Sequence, residues 1–296
     1  MQILDGKLVS SLIKDDIKKT VDNLKENNRR VPTLATILVG NDGASMTYVH
    51  SKHKTAKLLG FDTKDYKLSD DESEDKLISL VHSLNDDKSV DAILIQLPLP
   101  KKFNTNRVLS HIAMSKDVDG ITENNIGHLA LDEDAVIPCT PYGILLLLQH
   151  YNIPLEGKHV VVLGRSRIVG RPLSLLLNTS KVNATVTCCN SRTENLKEIT
   201  RTADVLISAI GRLQFIKSDF IKDGAVVVDV GITRHPDPTA EKGYRILGDV
   251  DFDDVKEKAS YITPVPGGVG PLTIACLMKN TLLLYKKHEE KSENTN

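Results

Sequence analysis

The sequence has no tryptophan and only 5 Phe and 7 Tyr among its 296 residues. So few aromatic side chains argue against a stacking platform for single-stranded nucleic acids. An excess of charge is also absent, because 38 Lys and Arg residues balance 39 Asp and Glu residues and leave a formal net charge of −1. This balance gives no general electrostatic reason to bind DNA, RNA or an anionic membrane surface. Nucleic-acid and membrane partners are therefore disfavoured.

Cysteines are few, and their spacing forms no recognisable metal or disulfide pattern. Cys139, Cys188, Cys189 and Cys276 include no C-x-x-C pair, so we expect buried free thiols in a reducing compartment, with no zinc site and no disulfide framework. No apolar run approaches the roughly 18 to 20 residues needed to span a bilayer. The first residues also lack a basic segment followed by an apolar one, so we expect a cytoplasmic protein.

The composition is that of a globular protein, with 40% hydrophobic and 26% charged residues. Apolar runs such as Pro32 to Gly40 and His159 to Leu163 predict buried strands. Segments with apolar residues at helical spacing lie between such runs. Strands that alternate with helices predict an α/β fold with parallel βαβ units.

A segment that contains Pro154 and Gly157, residues 152–157, precedes a second series of strands and helices. It predicts a first α/β domain over residues 1–150 and a second, Rossmann-like domain over residues 151–271. We expect a last helix, about residues 272–288, to pack back onto the first domain. A ligand site is expected in the cleft between the two domains.

A glycine-containing turn follows the first strand of the second series. The segment Gly164-Arg-Ser-Arg-Ile-Val-Gly170 lies where a dinucleotide pyrophosphate would meet the amides of a helix N-terminus. Its spacing is not G-x-G-x-x-G, so a tight turn without a ligand remains an alternative. The end of the next strand, Cys189-Asn-Ser-Arg-Thr193, carries no acid for a ribose 2′-hydroxyl. Ser191, Arg192 and Arg165 instead suit a 2′-phosphate, which favours NADP over NAD.

Tyr48 and Lys52 are four residues apart on a predicted helix and therefore share one face. A lysine in a cleft can have its pKa lowered by burial and can then act as a base or proton relay. The alternative is that Lys52 simply faces water, as most helical lysines do. His50 and His53 nearby are interpreted as part of a solvated face, and no metal site is expected.

Three further segments carry polar or flexible residues where ligands commonly bind. Gln96 follows the apolar strand that ends at Ile95, and ligands bind at this edge of open α/β sheets. The alternative is that the Gln96 amide only caps the turn. The segment from Lys116 to Gly120 contains Asp119, which could hold an amidine-like ligand edge, or the segment could form an Asx turn. The glycines from Pro264 to Pro271 would let the backbone approach a flat ligand, or form a rigid loop without one.

Together these segments resemble the methylenetetrahydrofolate dehydrogenase/cyclohydrolase family, and they do so in the family's order over nearly the whole chain. The matching segments are Tyr48-Val-His-Ser-Lys52, Ile95-Gln-Leu-Pro98, Lys116-Asp-Val-Asp-Gly120, Pro138-Cys-Thr-Pro141, Gly164-Arg-Ser166 with Ile168-Val-Gly170, and Thr263-Pro-Val-Pro-Gly-Gly-Val-Gly-Pro271. The resemblance implies NADP-dependent oxidation of 5,10-methylenetetrahydrofolate to the methenyl form, followed by hydrolysis to 10-formyltetrahydrofolate. It also implies a homodimer and a place in one-carbon metabolism that supplies purine biosynthesis.

The resemblance further implies roles for individual residues. Lys52 would be the essential amine of the hydrolytic step, Gln96 would orient it, Asp119 would hold the pterin N–H edge, and Tyr48 would stack on the folate. The remaining folate contacts would be Leu97, Pro266, Gly267, Gly268, Val269, Gly270, Pro271 and Ile274, and the cofactor contacts would be Gly164, Arg165, Ser166, Ser191, Arg192 and Ile232. Because the substrate of hydrolysis is already a cation, one positioned amine and one amide suit the step.

Two other interpretations compete with this one. The first is another two-domain NAD(P) dehydrogenase, acting on an amino acid or a shikimate-like acid, which would need no Gln96 and Asp119 pair. The second is a folate- and dinucleotide-binding protein that has lost catalysis, against which the presence of Lys52 argues.

Overall fold

A computed structural model describes residues 1–241 and 243–293, and the chain divides into two compact units. The three-stranded unit comprises residues 12–128, 134–137 and those from Ile274 onward. The six-stranded unit comprises residues 1–11, 129–133 and 138–273. Within the described residues, no helix combines the length and apolarity that a bilayer crossing requires.

Strands and helices alternate along most of the chain. The described strands are β1 (Gln2–Ile3), β2 (Thr33–Val39), β3 (Asp62–Leu68), β4 (Ala92–Ile95), β5 (His159–Leu163), β6 (Thr185–Cys189), β7 (Val205–Ser208), β8 (Val226–Asp229), β9 (Thr233–Pro236), β10 (Tyr244–Leu247) and β11 (Tyr261–Ile262). The described α-helices are α1 (Gly6–Glu26), α2 (Gly43–Leu59), α3 (Glu74–Asp86), α4 (Thr105–Ser110), α5 (Glu123–Ala130), α6 (Cys139–His150), α7 (Gly170–Leu177), α8 (Leu196–Thr200), α9 (Phe252–Val255) and α10 (Val269–Glu293).

The three-stranded unit is built on a parallel sheet in the order β3–β2–β4. Every residue of β2 and β4 is buried, as expected for strands covered on both faces, whereas the edge strand β3 alternates exposed and half-buried residues. Helix α3 buries Leu77, Ile78, Val81 and Leu84 against this sheet. Its first turn is stabilised by Ser73, whose side chain accepts a hydrogen bond from the Lys76 amide at 3.2 Å.

Helix α10 is anchored to the rest of the three-stranded unit by polar contacts. The Asn280 amide donates to the carbonyls of Val118 and Ile137 at 3.0 and 2.9 Å. Farther along the helix, the Tyr285 hydroxyl donates to the Arg30 carbonyl at 2.9 Å. Arg30 itself forms two hydrogen bonds to the buried Asp91 carboxylate at 2.7 and 2.8 Å. The helix therefore packs on the unit that contains β2 and β4.

The six-stranded unit has an all-parallel sheet in the order β1–β11–β8–β7–β5–β6, with a separate antiparallel hairpin of β9 and β10. The order reverses between β5 and β7, which is where open α/β sheets bind ligands. The predicted α/β fold class with two α/β parts is confirmed. The short strands β1 and β11 and the polar hairpin were not predicted, because two-residue strands and exposed strands carry little apolar periodicity.

The two compact units do not coincide with the predicted domains, residues 1–150 and 151–271. The bounds of those two domains stay a prediction. Helix α6 packs against α7, and residues 138–150 are therefore grouped with the six-stranded unit. The two strands β1 and β11 pair directly, which brings the first residues of the chain into the same unit.

One expectation about the cysteines is wrong. Cys139, Cys189 and Cys276 are buried free thiols, but Cys188 is exposed and contacts the Ser174 hydroxyl at 2.9 Å. Cys188 and Cys189 are consecutive residues of β6, and consecutive side chains of a strand point to opposite faces, so both cannot be buried in the same core. Burial raises the pKa of Cys276 to about 12, which keeps this thiol protonated.

Candidate active site

Lys52 and Gln96 meet at the carboxyl ends of two neighbouring parallel strands. Gln96 follows β4, and its amide donates to the Ile37 carbonyl of β2 at 2.9 Å. The Lys52 Nζ, on the helix that follows β2, donates to Gln96 Oε1 at 3.0 Å. The side-chain nitrogen of Gln96 donates to the Leu97 carbonyl at 2.7 Å, and this contact orients its oxygen toward the lysine. The structure thus brings together two of the residues singled out in the sequence.

Helix α2 holds Lys52 and Tyr48 through well-defined ends. At its start, the Asp42 carboxylate accepts a hydrogen bond from the Ser45 amide at 2.8 Å. At its end, Gly60 adopts a left-handed conformation with φ of 84°, which closes the helix. Tyr48 lies one turn before Lys52 and is 47% exposed, so its ring is accessible to a ligand. Lys52 is half-buried.

Asp119 lies in a turn whose geometry is set by a neighbouring acid. Asp117 is 1% exposed and accepts hydrogen bonds from the amides of Gly120 and Thr122 at 3.0 and 2.8 Å. Asp117 also pairs with Ile93 of β4 in a parallel bridge, so the chain after Asp117 runs in the same direction as β4. Asp117 therefore stabilises this turn through the amides three and five residues later in the chain. Asp119 follows it within the turn and is half-buried.

The glycine turn in the six-stranded unit is shaped by close backbone contacts. Gly164 follows β5 with φ of +112°, and a Cβ atom there would lie 2.3 Å from the Ala209 carbonyl oxygen. A Cβ on Gly170 would lie 2.1 Å from the Gly164 carbonyl oxygen. The hydroxyl of Ser166 accepts from the amides of Val169 and Gly170 at 3.2 and 3.3 Å. These contacts explain why this turn requires glycine at both positions.

A cavity of about 400 Å³ opens beside this turn and is lined by residues at the ends of three adjacent strands. The lining residues are Leu163, Gly164, Arg165, Ser166, Cys189, Asn190, Ser191, Thr193, Leu196, Ala209, Ile210, Arg212 and Phe215. Four of the predicted cofactor residues, Gly164, Arg165, Ser166 and Ser191, are among them. Arg192 is exposed and is not part of the lining, while its amide donates to the Asn190 side chain at 3.0 Å. Sequence analysis missed Arg212, whose guanidinium stacks on the Phe215 ring at 4.0 Å.

Two buried carboxylates, which sequence analysis also missed, fix the loops that border this cavity. Asp249 is fully buried and accepts hydrogen bonds from the amides of Ile210 and Arg212, both at 2.8 Å. Asp229 accepts from the amides of Gly231, Asp249 and Val250 at 2.8 to 2.9 Å. Burial is the largest influence on Asp229 and raises its pKa to about 6, although its three amide donors oppose the change. An acid that ends the apolar run Val-Val-Val-Asp229 was the available sequence signal.

A second, smaller cavity of about 160 Å³ is lined by both Ile232 and the glycine-rich loop. It is lined by Lys7, Asp229, Val230, Gly231, Ile232, Ile246 and the loop Pro264 to Pro271, which includes the predicted residues Pro266, Gly267, Gly268, Val269, Gly270 and Pro271. The loop is tightly packed, since a Cβ on Gly268 would lie 2.7 Å from the Pro264 carbonyl oxygen. Ile274 is half-buried in α10, just beyond this loop. A predicted cofactor residue and the predicted folate loop therefore share one cavity.

These features fit a dinucleotide. The close packing at Gly164 and Gly170 leaves backbone rather than side chain at the start of α7, where amides can face a pyrophosphate. Arg165 and Arg212 supply positive charge at the same cavity, and none of its lining residues is an acid. Within the described residues, no cluster of three or more His, Cys, Asp or Glu side chains could hold a metal ion.

Two family models match the chain. Residues 4–119 match the catalytic domain of tetrahydrofolate dehydrogenase/cyclohydrolase, and residues 138–289 match the NAD(P)-binding domain of the same family. The second match covers the glycine turn, the cavity beside it and the glycine-rich loop.

Known proteins resemble the chain over nearly its full length. The bifunctional protein FolD of Christiangramia forsetii is 49% identical over 294 residues, covering 99% of this chain and 98% of that protein. The crystal structure of FolD, a methylenetetrahydrofolate dehydrogenase/cyclohydrolase from Campylobacter jejuni, has a TM-score of 0.91 at 45% identity and covers 97% of this chain and 99% of that one. The enzyme from Trypanosoma brucei, complexed with NADP cofactor and inhibitor, has a TM-score of 0.91 at 38% identity and covers 96% of this chain and 97% of that one.

Proposed function

The chain belongs to the tetrahydrofolate dehydrogenase/cyclohydrolase family, and from this premise we propose how its residues perform the two reactions. The protein is a bifunctional enzyme of one-carbon folate metabolism. It oxidises 5,10-methylenetetrahydrofolate to 5,10-methenyltetrahydrofolate and hydrolyses that product to 10-formyltetrahydrofolate. The family decides against the alternative of a dehydrogenase for an amino acid or a shikimate-like acid.

Lys52 is the proposed proton acceptor of the hydrolytic step. Water adds to the cationic carbon of the methenyl group and must lose a proton as the new C–O bond forms. A neutral Lys52 amine can donate one N–H to Gln96 and still present its lone pair to that water. The proton then resides on Nζ until it is transferred to the nitrogen that leaves as the ring opens. The single observation that carries this role is the 3.0 Å hydrogen bond between Lys52 Nζ and Gln96 Oε1.

Gln96 is a positioning residue in this proposal. Its oxygen accepts only from Lys52 among the hydrogen bonds described for it, and its side-chain nitrogen donates to the Leu97 carbonyl. The residue is 8% exposed, and its amide cannot rotate freely without losing both contacts. Replacing Gln96 by alanine would leave the amine in place but poorly oriented. We therefore expect this variant to change the pH profile of hydrolysis, which a residue with a purely structural role would not alter.

The folate itself is proposed to contact several other residues. The Asp119 carboxylate accepts from the N–H edge of the pterin, a pairing that suits one carboxylate and two adjacent donors. The exposed ring of Tyr48 stacks on the planar folate, and Leu97 adds apolar contact. The other proposed contacts are Pro266, Gly267, Gly268, Val269, Gly270, Pro271 and Ile274, most of which expose backbone or small side chains to a flat ligand.

NADP is the proposed cofactor, and when bound it supplies the hydride acceptor of the oxidative step. The turn from Gly164 to Ser166 and the start of α7 present amides to the pyrophosphate. Arg165, Ser191 and Arg192 provide the charge and the hydrogen-bond donor for a 2′-phosphate, and no acid stands directly after β6 that would favour the free 2′-hydroxyl. Ile232 lies against the glycine-rich loop and would hold the cofactor close to the folate contacts.

The test of the dehydrogenase proposal is a spectrophotometric assay with tetrahydrofolate, formaldehyde and either NADP⁺ or NAD⁺. We expect reduction of NADP⁺ and the appearance of a methenyl chromophore that then decays through hydrolysis. Reduction with NAD⁺ alone would overturn the cofactor assignment. A chromophore that forms but never decays would remove the hydrolytic role from Lys52 and its neighbours.

The proposal also includes a cellular compartment, an oligomeric state and a metabolic role. The enzyme acts in the cytoplasm, which its buried free thiols Cys139, Cys189 and Cys276 support, because such thiols are typical of reducing compartments. It forms a homodimer, as the family resemblance implies, and sedimentation of the pure protein would test this. Its 10-formyl product supplies one-carbon units to purine biosynthesis, which a purine requirement of a deletion strain would test.

A further inference from the structure

A further cavity lies in the three-stranded unit and contains none of the residues proposed for catalysis. Its volume is about 560 Å³. Its lining comprises Asn85, Lys88, Met114, Ser115, Lys116, Asn125, Asp134, Ala135, Val136, Leu284, Lys287, His288 and Lys291. The lining thus contains four lysines and one histidine but one carboxylate, Asp134, in a protein whose overall formal charge is −1. Asp86, Asp87 and Asp91 lie behind the lining, close enough to interact with the charge of Lys116. Such local concentration of positive charge within a concave surface attracts anions.

Lys116 differs from the surface lysines of this cavity because its side chain is buried. The residue is only 7% exposed, and its Nζ donates to the carbonyls of Leu84 and Asp87, both at 2.7 Å. These carbonyls lie at the end of helix α3, where the helix dipole is negative and favours a cation. A lysine ammonium has three N–H donors, and within the described residues the third has no acceptor. Burial lowers the pKa of Lys116, so an anion in the cavity would stabilise its charged form.

The other basic residues share the lining of this cavity with apolar residues. Lys287 is paired with Asp134 at 2.5 Å, and His288 with the buried Asp91 at 2.9 Å, so both side chains are held in place at the cavity. Lys88 is exposed on the segment after α3, and Lys291 lies on α10 one turn beyond Lys287. The apolar lining residues are Met114, Ala135, Val136 and Leu284. A ligand with both an anionic group and an apolar body would use both parts of this surface.

We propose that this cavity binds a small organic phosphate, with its phosphate groups at Lys88, Lys116 and Lys291 and its apolar body against Leu284 and Val136. This second ligand site is separate from the residues assigned to folate and NADP. The proposal is independent of the roles given to Lys52 and Gln96, because it uses none of the same side chains.

The test is calorimetric titration of the full-length enzyme with adenosine diphosphate, carried out in a saturating concentration of NADP⁺. Saturation is needed because the arginine-lined cavity beside Gly164 could also take a diphosphate. We expect binding of adenosine diphosphate that weakens with added salt, and no measurable binding of adenosine, which lacks the phosphates. The double variant Lys88→Gln with Lys291→Gln should raise the dissociation constant about tenfold or more, since it removes two charges from the lining.

A matched control uses lysines outside the cavity. Lys19 and Lys67 are exposed residues of the same unit and do not line it, so Lys19→Gln with Lys67→Gln alters net charge equally. We expect this control to leave the dissociation constant unchanged, and circular dichroism would establish that both double variants fold. The proposal fails if adenosine diphosphate does not bind the NADP⁺-saturated enzyme, if adenosine binds equally well, or if the two double variants behave alike.

Discussion

The two units build their candidate sites in different ways. In the three-stranded unit, the candidate site consists of side chains on α2 and after β4, and its proposed chemistry depends on the Lys52 amine and the Gln96 amide that contacts it. In the six-stranded unit, the site consists mainly of backbone, shaped by Gly164 and Gly170 and fixed from behind by Asp229 and Asp249. One site is therefore specified by chemical groups and the other by shape.

This difference determines what a substitution can do. Removing a functional group from the first site should abolish one reaction without disturbing the fold, because the helix that carries it is held by other contacts. Adding even one carbon atom to the second site should alter the backbone and weaken cofactor binding. Substitutions in each unit test this contrast, beginning with the largest expected effect.

Lys52→Met should remove cyclohydrolase activity while the fold is preserved. The amine is the only proposed proton acceptor of the hydrolytic step, and loss of such a group typically lowers the rate by about 10²- to 10⁴-fold. The measurement is the decay rate of the methenyl chromophore, with circular dichroism as the check on folding. Lys54→Met is the matched control, since Lys54 is exposed on the same helix and should leave hydrolysis unchanged. Full hydrolysis by the Lys52 variant would assign the role to another residue.

Gly164→Ala should weaken NADP⁺ binding by about a hundredfold, because its new Cβ would meet the Ala209 carbonyl oxygen at 2.3 Å and displace the turn. The readout is the KM for NADP⁺ in the dehydrogenase assay. Gly157→Ala provides the comparison: Gly157 also has a positive φ, of +68°, but nothing lies within 4 Å of its Cβ position. Equal effects of the two variants would show that backbone strain, and not the close contact, limits binding.

Asp229 should make the six-stranded unit less stable as pH rises from about 4 to about 6. Its pKa is 3.8 in the ordinary state and about 6 when buried, so the folded protein retains a proton that the unfolded chain has already lost. The free energy of unfolding therefore falls across this window by about 3 kcal/mol from this group alone. Urea unfolding of the wild type and Asp229→Asn at several pH values measures the difference.

Asp204 offers a control of opposite sign for the pH experiment. Its hydrogen bond with Lys222 lowers its pKa, so the stability it contributes is present above its ordinary pKa and is lost as pH falls. Asp204→Asn should accordingly cost stability near neutral pH and little in acid. If wild type and Asp229→Asn differ by a constant amount at every pH, the buried carboxyl does not titrate in this window.

Arg165→Gln should raise the KM for NADP⁺ by about tenfold and change the KM for NAD⁺ much less, because the variant lacks the proposed arginine contact to the 2′-phosphate. Arg192→Gln should have a smaller effect, since Arg192 is exposed and does not line the cavity. The ratio of kcat/KM for the two cofactors measures both. A larger change of this ratio for the Arg192 variant would reverse the relative importance of the two residues.

The sequence predicted the chemical groups of the first site better than the shape of the second. The i and i+4 spacing of Tyr48 and Lys52, and the polar Gln96 after an apolar strand, are visible without coordinates. The resemblance of the ordered motifs to one enzyme family was confirmed by both domain matches. By contrast, Asp249 accepts hydrogen bonds from residues 37 to 39 positions earlier in the chain. No pattern among neighbouring residues of the sequence predicts such contacts.

The sequence alone determined the α/β class and the family, because apolar periodicity and motif order are properties of the linear chain. Tertiary structure decided which acids are buried, with Asp117 forming the turn before Asp119 and Asp229 supporting the loops beside β8. It also decided that Arg212 lines the cofactor cavity and that Cys188 faces outward while Cys189 is buried. The physical reason is that burial and hydrogen bonding depend on the packing of segments far apart in the chain, whereas periodicity requires only neighbouring residues.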